Sequence, residues 1–152
     1  MSLSGGRVGD ARLARRLTLA WAGVVFAFAV LPTHAILSPT IGDIETLATQ
    51  AGHFVEFAVL AALAMRWSTA RSGRQAGGAA SPVDPAPARA ALTVWGATVA
   101  YGAFIEAAQV PLTYRSAQLS DLAIDAAGAL AGLLLFSCGR GLRARGGRRR
   151  PR

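Results

Sequence analysis

The segment YGAFIEAAQVPLTYRSAQLSDLAIDAAG, Tyr101–Gly128, lies between two strongly apolar stretches and yet carries Glu106, Gln109, Arg115, Asp121 and Asp125. Charges are costly in lipid: one at the middle of a membrane helix costs about 2.5–3.5 kcal/mol on insertion scales. Polar residues in such surroundings belong near helix ends or against other helices, so the fold reading turns on what flanks them.

Outward from this segment the apolar residues come in blocks, not in amphipathic stripes. Four blocks are legible: Leu17–Leu37, about Leu47–Trp67, about Ala90–Val110, and about Leu119–Cys138. Each has the roughly 20 residues that a helix needs to cross a hydrocarbon core of about 30 Å. A chain of 152 residues that is 53% hydrophobic in this pattern is predicted to be all-α, an integral membrane bundle of four transmembrane helices. The first block also fits a cleaved leader, with Arg12, Arg15 and Arg16 before an apolar run. The length of the run and the poor cleavage site PTHAILSP favour a retained helix.

The arginines orient the bundle. All 16 basic residues are Arg. Arg7, Arg12, Arg15 and Arg16 precede the first block, Arg66, Arg71, Arg74 and Arg89 lie at or between the second and third, and seven follow the fourth, leaving Arg115 alone on the other side. Positive charge marks cytoplasmic loops, so both termini of this multi-pass chain are expected in the cytoplasm. This asymmetry also accounts for the net charge of +8. The tail RARGGRRRPR could suggest nucleic acid, but a basic flank attracted to anionic headgroups explains it without one, and no nucleic-acid partner is expected.

The chain then divides into a basic N-terminus at 1–16, a membrane domain at 17–138, and an Arg-rich tail at 139–152. The stretch STARSGRQAGGAASPVDPAPAR, about 68–89, reads as a Gly-, Ala- and Pro-rich linker. Cys138 has no partner for a disulfide and reads as a small apolar residue.

With this topology the polar residues sort to one end. His34, His53, Glu56, Glu106, Gln109, Arg115, Asp121 and Asp125 all fall near the outer boundary, with Asp43 and Glu45 in a solvated loop. Helical phase groups them further. His53 and Glu56 share a face at i, i+3, as do Glu106 and Gln109. Asp121, Asp125, Gly128 and Gly132 follow one another along a single face, which joins carboxylates to a small-residue pair of the kind that packs helices closely in lipid. A polar site between helices, open outward, is expected. Tyr101 stands about 80° from Gln109 and about 140° from Glu106 around the helix. Trp21, Trp67 and Trp95 read as interfacial anchors or packing groups.

The combination HFVEF, YGAFIEAAQ and RSAQLSDLAIDAAG resembles the VanZ-like family of small bacterial membrane proteins. The likeness rests on His53-Phe54, Tyr101-Gly102, Glu106, Gln109, Arg115, Asp121, and Asp125 with Gly128, over a motif core of 47–138. The chain departs from the family pattern at Gln50 for Lys, Asp125 for Asn, and Thr113-Tyr114 for Pro-Gly. The resemblance implies a multi-pass protein of the bacterial cytoplasmic (inner) membrane and a cell-envelope setting, since the family is associated with resistance to teicoplanin, and it implies no defined biochemical activity.

Three classes of function follow. An enzyme acting on an envelope lipid or amphiphile would use His53, Glu106, Arg115 and Asp121 for acid–base chemistry or phosphate handling, with Glu56, Tyr101, Gln109 and Asp125 contacting the ligand. His53, Glu56, Glu106 and Asp121 also offer hard ligands for a divalent metal, although HExxH, a Gly-rich phosphate loop and a nucleophile elbow are all missing. A non-enzymatic binder of membrane lipids or an amphiphilic ligand is the second class. The third is structural: Arg115 and His53 neutralise Glu106 and Asp121 and fix helix register.

Overall fold

In the computed structural model the described residues are 4–31, 42–75, 86–113 and 118–147. They form α1 (Ser4–Val30), α2 (Gly42–Gln75), α3 (Ala86–Gln109) and α4 (Leu119–Gly147), with no strand among them. All four helices are long and apolar enough to cross a membrane, over Gly9–Val30, Leu47–Ser72, Ala88–Gln109 and Leu119–Leu142.

The helix ends follow from local chemistry. α1 stops at Val30, short of the expected Leu37. Leu31 precedes Pro32, whose ring disfavours helical backbone in the residue before it. α3 admits Pro87 in its first turn, where the missing N–H is an orphan anyway. It ends two residues before Pro111, and Leu112 N donates to Gln109 O at 2.8 Å to close the turn. Asp121 falls in the first turn of α4, where a carboxylate suits the positive end of the helix dipole. All four helices outrun the expected spans: α1 begins at Ser4 and not at Leu17, and α3 at Ala86, so both edges of the expected linker at about 68–89 are helical. α2 continues through STARSGRQ, which contains no proline, and α4 continues to Gly147. Asp43 and Glu45, read as a loop face, fall within the start of α2.

Large apolar side chains point away from the bundle on every helix: Leu13, Phe28, Val55, Leu92, Leu130 and Leu135 are all exposed. Helices that are apolar on their outer faces as well belong in hydrocarbon.

The interior draws on all four helices, and the antiparallel neighbours α1–α2 and α3–α4 are in broader contact than the parallel pair α1–α3. α2 and α4 make the most extensive contact. Phe54 and Ala58 on α2 meet Gly128 and Gly132 on α4 so closely that a Cβ at either glycine would run into the facing main chain. Absent side chains let these backbones approach, as in close helix pairs in lipid. α1 and α3 meet differently, through Phe26 against Phe104 with ring centroids 6.0 Å apart, and through side chains that reach main-chain carbonyls. Phe57 and Tyr101 (6.5 Å) and Tyr101 and Phe104 (6.3 Å) extend these rings into a layer across the bundle. On one side of the layer lie the polar motif residues, here termed the motif end. On the other, the arginine end, Ala61, Met65, Val94, Ala129 and Leu133 form an apolar core.

Candidate functional site

At the motif end α4 supplies Asp125, which is 1% exposed. Its Oδ1 lies 3.1 Å from His53 Nδ1 on α2. Gly102 on α3 makes room for the other oxygen: a Cβ there would come within 2.8 Å of Asp125 Oδ2. Three helices thus converge on one carboxylate, and α4 presents its aspartate on the same face as the two packing glycines. Glu56 and Asp121 both lie within Coulombic range of His53, and Asp121 also of Asp125.

Glu106 sits between α3 and the start of α4. Its Oε2 accepts a hydrogen bond from Gln118 N at 2.7 Å, which satisfies a backbone donor at the α4 N-terminus. A carboxylate gains there from the helix dipole as well. Its Oε1 is buried and has no hydrogen-bond partner among the described residues. His53, Asp121 and Asp125 are all within Coulombic range of this carboxylate. An orphaned buried carboxylate oxygen is expensive, because it has lost its water without a replacement. It is the atom of this site with an unmet demand for a donor.

The predicted residues therefore separate. His53, Glu56, Glu106, Asp121 and Asp125 form one cluster. Gln109 is buried, but its Nε2 turns away to donate to Ala29 O on α1 at 3.0 Å. Tyr101 likewise donates its hydroxyl to Ala22 O on α1 at 2.6 Å. Both hold α1 to α3. His34 and Arg115 lie outside the described residues, as do the side chains of Asp43 and Glu45. Among the described residues no three His, Cys, Asp or Glu groups are arranged to hold a metal ion. Cys138 is a free, exposed thiol.

Two groups that the motif reading passed over also matter. Trp21 Nε1 donates to Glu56 O at 3.0 Å, which ties α1 to α2 beside the cluster. Trp95 Nε1 donates to Ala126 O at 3.1 Å, which ties α3 to α4. An indole N–H inside an apolar block needs such an acceptor, and that need was the available signal.

Chemically, the cluster gathers four carboxyl groups around a single imidazole. The arrangement suits proton exchange, or the binding of a group that donates hydrogen bonds or carries positive charge. No curated protein and no solved structure matches the chain. A family model does: residues 14–140, which include all five clustered residues as well as Gln109 and Tyr101, match VanZ/LLP1, and the chain belongs to that family.

Proposed function

We propose that the motif end faces outward from the cytoplasmic membrane and binds, or acts on, the polar headgroup of an envelope lipid or other amphiphile. The observation that carries this reading is Glu106 Oε1, buried without a partner among the described residues in a cluster where His53 already has Asp125. A ligand donor placed there would relieve the desolvated oxygen, and discrimination would follow, since an analogue lacking the donor would leave it unmet. Arg115, three residues before Gln118, adds fixed positive charge to the same loop and would suit a phosphate or carboxylate on the ligand. The arginine asymmetry supports the orientation. Reporter fusions after Arg71 and after Arg143 should read cytoplasmic, and one near Ser116 external; an external signal at Arg71 would reverse the assignment.

A structural reading is favoured by one contact. The His53–Asp125 pair is closed on itself and could serve only to lock α2 to α4. Glu106→Gln separates the two readings, because it keeps the side-chain size and removes the charge. The purified variant is compared with wild type for thermal stability, with and without a total envelope lipid extract. Binding predicts normal folded amounts and loss of that part of the response to extract which purified phospholipid alone does not reproduce. A purely structural role predicts lower stability with the response to extract intact.

A further inference from the structure

At the arginine end a groove of about 380 Å³ lies between α1, α2 and α3. Its walls include Leu60, Ala64 and Trp67 on α2 and Val94 and Ala97 on α3. Thr18, Thr93 and Thr98 also line it, but each hydroxyl is spent on its own helix, on Ala14 O, Arg89 O and Val94 O. The groove therefore presents a largely apolar interior in which the three threonine hydroxyls are satisfied and Ser68 is a further polar wall residue. Tyr101 closes its inner end, and Arg71 stands at its mouth.

The dimensions match one leaflet. From Leu60 to Arg71 the α2 wall runs about 16 Å at the helical rise of 1.5 Å per residue. Half of a hydrocarbon core of about 30 Å is close to that depth. The mouth is positive beyond Arg71. Exposed Arg15 lies one helical turn before Thr18 on α1, and exposed Arg89 one turn before Thr93 on α3. Cations from three helices thus flank an acyl-deep apolar slot; topology accounts for positive charge at this end, and what the groove adds is Arg71 lining the same cavity as the apolar wall.

We infer that this groove holds one anionic phospholipid, with an acyl chain along Leu60, Ala64 and Ala97 and the phosphate on Arg71. The lipid belongs to the leaflet that the arginine end faces. It occupies a place separate from the motif-end cluster, on the far side of the Phe57–Tyr101–Phe104 layer.

The test uses the full-length purified protein in neutral detergent. Thermal stability is followed as phosphatidylglycerol or phosphatidylcholine of the same acyl length is added. Phosphatidylglycerol should raise the Tm by about 3 °C or more at saturation, and phosphatidylcholine by clearly less. Arg71→Gln should remove the difference between the two lipids. Arg66→Gln, an exposed arginine on the same helix that does not line the groove, should keep it. Ala97→Phe, which fills the slot, should abolish the response to both lipids; should it fail to fold, the Arg71 and Arg66 pair decides alone. Glu106→Gln should leave the response intact, so failure at the motif end and failure here are told apart. An equal response to the two lipids in wild type, or an Arg71→Gln variant that still prefers phosphatidylglycerol, would overturn the inference.

Discussion

The α2–α4 and α1–α3 seams both join parallel helices, but they are built by opposite means. α2 and α4 touch through what is missing, at Gly128 and Gly132, and the contact runs through the core. α1 and α3 touch through long side chains: Gln109 and Tyr101 each cross to an α1 carbonyl, and Phe26 meets Phe104. Beyond those residues the groove lies between α1, α2 and α3. The difference teaches how a small bundle in lipid divides its labour. With no hydrophobic drive between helices, association depends on close packing and hydrogen bonds. One seam takes the close backbone packing, with the His53–Asp125 contact set into it, and so fixes the site. The other rests on long side chains that reach main-chain carbonyls and on ring contacts.

The largest effect should come from closing off the tight seam. Gly132→Leu drives a side chain into the Ala58 main chain, which cannot yield as a flexible side chain could. The loss should reach or exceed the top of the roughly 1–3 kcal/mol range for overpacking, read as folded fraction in a detergent unfolding series. Near-normal stability would mean that the helices are not this close. Asp125→Ala comes next, because it removes the acceptor of His53 at the centre of the same seam. A loss of about 1–3 kcal/mol is expected. A double-mutant cycle with His53→Ala should show clear coupling, and additive losses would dissolve the pair.

Smaller still are the changes at the α1–α3 seam. Gln109→Leu and Tyr101→Phe each delete one hydrogen bond to α1, and such bonds in a membrane average about 0.6 kcal/mol with a maximum of about 1.7. If either cost as much as Gly132→Leu, the division between seams would be wrong. The smallest effect belongs outside both. Leu135→Ala on the lipid-facing side of α4 should stay within about 0.5 kcal/mol in the same unfolding series.

The four blocks and the packed face of α4 were legible because periodicity and residue size are written in the sequence. Asp125 and Gly132 lie seven residues apart, on one face, and both are buried. His53 could be placed opposite that face by its position near the start of its block. What α1 contributes was not legible. The motif covers helices two to four, and α1 takes part through the carbonyls of Ala22 and Ala29, which any residue would supply. Gln109 was read as a ligand contact because its spacing puts it beside Glu106; nothing in that spacing says that its amide finds α1 first. The groove was hidden for a similar reason. It arises from how three helices pack, and no single residue among its walls is unusual. The helix ends shifted where proline decided them, at Pro32, and ran on where no proline intervened, past Trp67.

The layer of rings from Phe57 through Tyr101 to Phe104 makes the two ends of the molecule answer to different reservoirs. Whatever occupies the cluster around Glu106 exchanges with the medium at that end and competes with water. Whatever occupies the groove exchanges sideways with a two-dimensional pool of lipid, whose composition changes slowly and whose effective concentration is always high. Tyr101 belongs to the groove side of this layer: it lines the groove and its hydroxyl is held by Ala22 O on α1. On the binding proposed for each end, the cluster and the groove would share no lining residue, so a solute at one and a lipid at the other would each follow its own reservoir.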